Sequence, residues 1–544
     1  MGNSRIFKAQ LPFCGMIASL AFGCAHAEHE EAVDSTETVA STEGSRSVSF
    51  EDYMLEHVVP LESGEGYMVE GDIHAPDLET VKRLWTASTS ENEGLSAHRY
   101  ASADDIWNRT DRFNITYCIR PGDFGSDYSR IVDFMQRAAS GWESAANVRF
   151  VHLSNLDNST DCTRTSTKVK YNVERNYSAG FTAGMGFPSF AKASRYLEMG
   201  DTSTWTDHFL LAVLTHEMGH ALGFIHEHDA ATGCDLTAND AAGYRKLTCY
   251  DGGSAMHYPD RAGWTGGTRK ENIISQRDIE GAQSVYEAPT NVINTAGGTV
   301  YARKRSTGDI YQRSGSSWVK IGGPGQAFVT VGNTLYGQTP GGGRPVVYRG
   351  SSTGWQYIGG AAGQIFRCMG SLCATTPSGS DIARYNASTN TWTVIGGPGA
   401  RFQASTTQLF GVDPWTDQYT AVWSASGSNW SIVGGGGSEL FGGGTSMYRL
   451  TNLKDAIQRY DGGSTWTTIG GPGRQFVATA GNIYGLYPNR AAIYKYAVTQ
   501  WNYVHGAATR MFGSDGYLFV TGTDNETIEQ YNAGANTWTN LGKP

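Results

Sequence analysis

The chain has 544 residues, a formal net charge of −10 and 39% hydrophobic residues. That length provides for more than one packed domain. The acidic balance, with no concentrated Lys/Arg run, argues against nucleic acid or an anionic membrane surface as a partner. At the N-terminus Arg5 and Lys8 precede an apolar run over residues 11–22, and Ala25-His26-Ala27 forms an A-x-A cleavage site. Residues 1–27 therefore read as a secretory signal peptide, and the chain as a secreted protein. The run is too short to span a bilayer comfortably, and no other segment approaches transmembrane length. Lipid attachment at Cys24 is the alternative, although Ala21-Phe22-Gly23 fits a bacterial lipobox poorly. Residues 28–50 are acidic and rich in Ser, Thr and Glu, a composition that disfavours a packed core.

Residues 101–288 read as one α+β domain of ordinary size. Residues 112–119 predict a strand, and 128–146 a helix with Ile131, Phe134, Met135 and Ala138 on one face. Residues 148–153 and 168–173 predict further strands. Residues 195–199 predict an edge strand, to which an extended peptide could add. The apolar stretch 209–214 then leads into a second helix. Residues 275–286 predict a closing helix, with Ser275 as N-cap and Asp278 in its first turn.

The second helix carries the most specific pattern in the chain. Residues 216–226 read His-Glu-Met-Gly-His-Ala-Leu-Gly-Phe-Ile-His. On a helix His216 and His220 share a face and can point at one metal ion. Gly223 lets the backbone leave the helix in a left-handed conformation, so that the chain can return with His226. Three protein ligands leave one zinc position open, as a catalytic site requires. Glu217, beside the first ligand, can take a proton from the attacking water. The pattern implies a zinc endopeptidase with one Zn2+ per chain, acting on protein or peptide substrates.

Downstream, Ser254-Ala255-Met256-His257-Tyr258 supplies a methionine of the kind that follows the long motif in metzincins. With Glu227 directly after the third histidine, the two segments resemble the astacins. That resemblance implies Met256 as a hydrophobic floor under the ligands and Glu227 as a structural anchor for a mature N-terminus. It also implies that Tyr258 is an additional ligand, one that swings away to stabilise the transition state. Residues 28–100 would then be a pro-segment. Val69-Glu70-Gly71-Asp72-Ile73 is similar to the astacin pro-segment motif, which makes Asp72 the candidate latency ligand. A turn is the competing reading of Glu-Gly-Asp. Activation cleavage could follow Lys82-Arg83 or Arg99. The sequence departs from the astacins at His228-Asp229-Ala230-Ala231, where many of them carry an arginine, and in its cysteine layout.

Six cysteines follow the signal region, an even count that suggests disulfides in an exported chain. Proximity suggests Cys118–Cys162, Cys234–Cys249 and Cys368–Cys373, among fifteen possible pairings. From residue 292 to 544 the composition changes. Trp318, Trp355, Trp392, Trp430, Trp466, Trp501 and Trp538 recur 35 to 38 residues apart, the period of a repeat architecture. Ile321-Gly322-Gly323-Pro324-Gly325 recurs at 395–399 and 469–473. The short strands and Gly-rich turns predict an all-β propeller of about seven blades, six if the degenerate first unit does not count. The units resemble tectonin-type repeats, which implies binding of glycans or cell-surface material. The rival reading of the whole chain is a secreted lectin-like adhesin with an inactive peptidase domain; the intact Glu217 argues against it.

Overall fold

The computed structural model describes residues 49–61, 66–89, 94–100, 102–176, 183–227, 243–257, 274–340, 346–351, 354–376, 379–412, 419–424, 430–479 and 481–544. The expected signal peptide, Cys24, Cys234 and Tyr258 lie outside these residues. The first part of the chain runs α1 (Phe50–His57), β1 (Val58–Pro60), β2 (Tyr67–Val69), β3 (Ile73–Ala75), α2 (Leu78–Thr89), β4 (Ser96–Tyr100), β5 (Ala103–Asp104), β6 (Ile115–Ile119), α3 (Pro121–Phe124) and α4 (Tyr128–Ala145). It continues with β7 (Phe150–His152), β8 (Tyr171–Arg175), β9 (Ala183–Met185), β10 (Tyr196–Met199), α5 (Asp207–His220), β11 (Phe224–Ile225), β12 (Tyr244–Lys246) and α6 (Gln276–Tyr286).

Helical spacing places Ile131, Phe134, Met135 and Ala138 on the buried face of α4, where they join Trp142. The Trp142 indole donates to Thr215 O on α5 at 2.8 Å, which ties the two long helices together. Thr206 caps α5 by accepting from Phe209 N, and Ser275 and Asp278 form a capping box on α6; each such cap is worth about 1 kcal/mol. The main sheet has the order β1-β2-β3-β9-β10-β8-β6-β7. Its segment β7, β6, β8, β10 is parallel.

The expected edge strand is not at the edge. Tyr196–Met199 pairs with β8 on one side and with β9 on the other. Strand β9 comes from a glycine-rich stretch, Gly184 and Gly186 flanking Met185, that reads as loop because glycine is depleted in strands. The far side of β9 is in turn met by the N-terminal segment: Ile73 pairs with Met185, and Met185 N donates to Asp72 O at 2.9 Å. A Cβ on Gly184 would lie 2.6 Å from Asp72 O, so glycine is what permits this approach. The Lys82-Arg83 and Arg99 cleavage candidates fall inside α2 and β4 respectively.

Beyond residue 290 the chain forms seven four-stranded antiparallel sheets, each built from four consecutive strands. They span residues 292–324, 327–361, 365–396, 400–435, 439–470, 475–505 and 510–542; these are blades 1 to 7. Each innermost strand lies against that of the next blade, and that of blade 7 lies against that of blade 1, which closes a propeller. The degenerate first unit is a full blade, so the count is seven.

The periodic tryptophans have one recurring task. Trp355, Trp392, Trp501 and Trp538 each donate from Nε1 to a backbone carbonyl of the preceding blade: Ile321, Ile358, Ile469 and Val504, at 2.7–3.0 Å. Trp466 does the same to Val433. Trp318 closes the ring by donating to Leu541 O at 3.0 Å. The glycine after the acceptor makes room for the ring. A Cβ on Gly322, Gly359 or Gly470 would lie 2.6–2.7 Å from the next blade's indole nitrogen. The Ile-Gly step is thus an acceptor plus a space at the end of an outer strand.

Two disulfides, Cys118–Cys162 and Cys368–Cys373, match the expected pairing, and Cys249 is also disulfide-bonded. No described helix is long and apolar enough to cross a membrane. The α+β domain abuts the propeller directly. Glu287, at the end of α6, receives Arg109 and Arg112 from its own domain and Arg303 from blade 1.

Candidate metal centre

Helix α5 ends at His220, and the turn that follows depends on two close approaches. Gly223 has φ +93°, and a Cβ there would collide with Asp105 O. A left-handed, unsubstituted residue is the only one that fits. The chain then reverses through β11, which pairs with β4, and His226 arrives opposite the helix. One turn earlier, a Cβ on Gly219 would collide with Met256 Sδ. Met256 is fully buried against the ligand helix because residue 219 has no side chain.

His216, His220, His226 and Asp72 each present a ligand atom, all within 4.8 Å of one another. His226 Nε2 lies 3.2 Å from His216 Nε2. Asp72 Oδ2 lies 3.0 Å from His226 Nε2, 3.3 Å from His216 Nε2 and 4.0 Å from His220 Nε2. All four residues are buried.

The opposite ring nitrogens are all occupied. His216 Nδ1 is 2.7 Å from Ala255 O, His220 Nδ1 is 2.7 Å from Phe224 O, and His226 Nδ1 is 2.7 Å from Glu70 Oε2. A proton on each Nδ1 leaves each Nε2 as a lone pair aimed at a common point, the arrangement of metal-ligating histidines. His220 Nε2, Asp72 Oδ1 and Glu217 Oε2 are buried with no hydrogen-bond partner. Buried polar atoms are rarely left so. The donor set, three imidazoles and a carboxylate, suits zinc. These observations fit a metal ion held by His216, His220 and His226, with Asp72 at the fourth position.

Burial and mutual charge shift several groups of the centre. Burial drives His220 well below the usual imidazole range, and the neighbouring His216 and His226 add to it. Burial also opposes the charged form of His226, and the carboxylates of Asp72 and Glu70 act against it and raise this histidine; a cation at the centre would take the place of the proton on Nε2. Burial and the charge of Asp72 together raise Glu217 well above the usual carboxylate range. Burial, Asp251 and Asp278 do the same to Glu227. Glu227 accepts from Asp251 N, and its own N donates to Met256 O at 2.8 Å.

Several participants escaped the sequence reading. Glu70 bridges the centre to α1, since Tyr53 Oη donates to Glu70 Oε1 at 2.8 Å. Glu70, Gly71 and Asp72 form the turn between β2 and β3, with Glu70 at φ +53° and Gly71 at φ +90°, so the turn reading and the ligand reading of this segment hold together, and no periodic pattern marks Glu70. Asp278, expected only as a first-turn acid, also accepts from Ser254 Oγ at 2.6 Å and Ala255 N at 2.8 Å. It thereby fixes the turn that carries Met256 and the Ala255 carbonyl under His216. The proposed ligand Tyr258 lies outside the described residues.

A metal-ligand cluster on an HExxH helix, in an α+β domain ahead of a seven-bladed propeller, defines a metallopeptidase with a β-propeller. Residues 68–243 match the family described as "Dual-action HEIGH metallo-peptidase". Read as residues, HEIGH differs from 216–220 at one position, where this chain has Met218. The matched region begins at Met68, so it contains Glu70 and Asp72 as well as the three histidines. No curated protein matches the chain. Similar solved structures include selenomethionine-substituted virginiamycin B lyase from Staphylococcus aureus, 11% identical, with a TM-score of 0.33 over 43% of this chain and 90% of that one. Another is the CRINKLY WD40 ectodomain of the Arabidopsis thaliana receptor kinase ACR4, 11% identical, with a TM-score of 0.34 over 47% and 97%. The propeller assignment rests on the closed ring of blades itself.

Proposed function

We propose that the chain is a secreted zinc endopeptidase held latent by its own N-terminal segment. The observation that carries this reading is the convergence of Asp72 with His216, His220 and His226. Zinc, when bound, supplies Lewis-acid polarisation of the scissile carbonyl and activation of water. The three histidines orient through their Nδ1 partners. Glu217 receives the proton of the attacking water and passes it to the leaving amine. Tyr258 contributes a hydrogen bond to the developing oxyanion, as the astacin resemblance implies. Asp72 fills the position the water needs, and Ile73 fills the ladder position on β9 that an extended substrate would use. Latency is thus a double occupation, of the metal and of the sheet edge. Disulfides within both domains support an oxidising, extracellular destination.

The propeller is proposed to bind glycans or cell-surface material. What supports this is a cavity of about 290 Å³ on blade 6 lined by Pro472, Phe476, Tyr487, Tyr494 and Trp501. Flat aromatic faces suit sugar rings, and Tyr494→Ala should abolish retention of the chain on an immobilised glycan that the wild type binds.

The decisive experiment for the peptidase is hydrolysis of a denatured protein by the processed chain beside Glu217→Ala, with zinc quantified in both. One zinc per chain in each and a loss of turnover of roughly 10²–10⁴-fold in the variant is the expected result. Zinc without hydrolysis in the wild type would leave the adhesin reading standing.

A further inference from the structure

The chain is acidic overall, with a formal net charge of −10, yet positive charge accumulates where α4 and β7 meet blades 6 and 7. Glu143 on α4 is buried and takes Arg474 at 2.5 and 3.1 Å and Arg490 at 2.5 Å. Arg510 reaches across to Asn147 Oδ1 at 3.2 Å and to the carbonyl of Val148. A fourth guanidinium, Arg149, has no such duty. It makes no side-chain hydrogen bond or ion pair with any described residue, and its Nε is buried without a partner.

Arg149, Arg474 and Arg490 line a cleft of about 610 Å³, together with Tyr117, Tyr128 and His152. Its carboxylate neighbours are Glu143 and Asp157. Asp157 is already engaged by Tyr128 Oη at 2.5 Å, His152 Nε2 at 2.7 Å and Ile119 N at 2.8 Å. The three lining arginines against these two carboxylates leave one positive charge without a counter-charge. Burial and Arg474 depress Arg490 to about 9. Burial likewise depresses Arg149, with Glu143 opposing and Arg474 reinforcing. A guanidinium held near others in a poorly solvated site is costly unless an anion completes it.

The carbonyl contacts of Arg474, Arg490 and Arg510 are explained by domain docking. That explanation does not reach Arg149, and it leaves the cleft open. A volume of this size is that of a small-molecule site rather than of a single ion. The planar N–H fork of Arg149 matches a tetrahedral oxyanion, and the charges of Arg474 and Arg490 stand beside it. Tyr117 and His152, stacked with centroids 5.0 Å apart and 7° between planes, add a flat wall.

We propose that this interdomain cleft binds a phosphate- or sulfate-bearing small molecule, its oxyanion held by Arg149, Arg474 and Arg490. The ligand would bridge the peptidase domain and the propeller, and so stabilise their docking by mass action.

The test is calorimetric titration of the full chain with inorganic phosphate and, separately, inorganic sulfate, at constant ionic strength set by chloride. Saturable binding of one or both is expected, weakened at least roughly tenfold by Arg149→Gln and less by Arg149→Lys, which keeps the charge and loses the fork. Binding of phosphate alone would identify a phosphorylated ligand, and of sulfate alone a sulfated one. Absence of saturable binding of both by the folded wild type would overturn the proposal. So would an unchanged affinity in both Arg149 variants. Because the wild-type titration is decisive by itself, the test survives a variant that fails to fold.

Discussion

Asp72 and Glu70 enter the metal centre as a pair, and their consequences differ. Asp72 faces the three Nε2 atoms, whereas Glu70 holds the outer nitrogen of His226. Asp72→Ala is expected to give an unprocessed chain that already hydrolyses denatured protein, as measured by release of soluble peptides. A silent Asp72→Ala chain with zinc bound would mean that occupation of the β9 edge alone maintains latency. Glu70→Ala removes an orienting partner rather than a ligand. Loss of such a partner costs roughly 10–100-fold in metal affinity, so the variant should surrender zinc to a chelator at correspondingly lower concentration. Neither effect depends on the propeller. The same scale shows why glycine occupies position 219. A methyl group there would push into the Met256 sulfur, and the strain would reach His216 through Ala255, whose carbonyl holds that ring.

Among the elements, the blade is the unit whose logic is most explicit. The outer strands of blades 1, 2, 4 and 5 end in a carbonyl that accepts an indole N–H from the next blade, followed by a glycine that leaves space for the ring. Trp392→Phe keeps most of the ring and deletes the hydrogen bond to Ile358 O; it should cost about 1 kcal/mol. Gly359→Ala keeps the bond but overpacks it, since its Cβ would stand 2.6 Å from Trp392 Nε1, and should cost about 1–3 kcal/mol. Urea denaturation of the two variants and the double mutant would show whether the pair is coupled, as contact requires. The α+β domain has its own such device in Asp278, whose carboxylate caps α6 and holds the turn at residues 254–256. The N-terminal segment, by contrast, is attached to the sheet through short strands, β1 to β3, of three residues each. Short edge pairings open readily, which suits the removal proposed for this segment.

At the level of the molecule, the two domains share buried ionisable groups, and their docking should respond to pH. Glu280 on α6 accepts from Thr375 of blade 3 at 2.7 Å, and burial raises it from 4.5 to about 7. The folded chain therefore keeps a proton on Glu280 between about pH 4.5 and 7 that the unfolded chain releases. Wherever the folded state binds the extra proton, stability falls as pH rises. The expected contribution is a loss of about 3 kcal/mol on passing upward through that window. Glu280→Gln should flatten that part of the profile, read from urea midpoints at pH 5 and pH 8. Glu143 works in the opposite sense. Burial would raise it, but Arg474, Arg490 and Arg510 hold it at about 2, against 4.5 when exposed. Its stabilisation is therefore present above pH 4.5 and is lost as the pH falls toward 2.

What the sequence by itself determined about this protein is whatever is encoded over a short span or by repetition. The spacing of His216 and His220 places both on one helix face because 3.6 residues make a turn, and Gly223 announces the reversal that brings in His226. The tryptophan period narrows the count to six or seven blades, since each blade must present the same surface to the next, and the closed ring decides for seven. The tertiary structure alone decided what depends on register between distant segments. It places Glu70 on His226, 156 residues away, and puts β9 rather than Tyr196–Met199 at the position the N-terminal segment covers. It also gathers Arg149, Arg474, Arg490 and Arg510 around Glu143. Polar pairings of this kind leave no periodic trace in a sequence, because a single side chain can satisfy a partner wherever the chain is folded back to meet it.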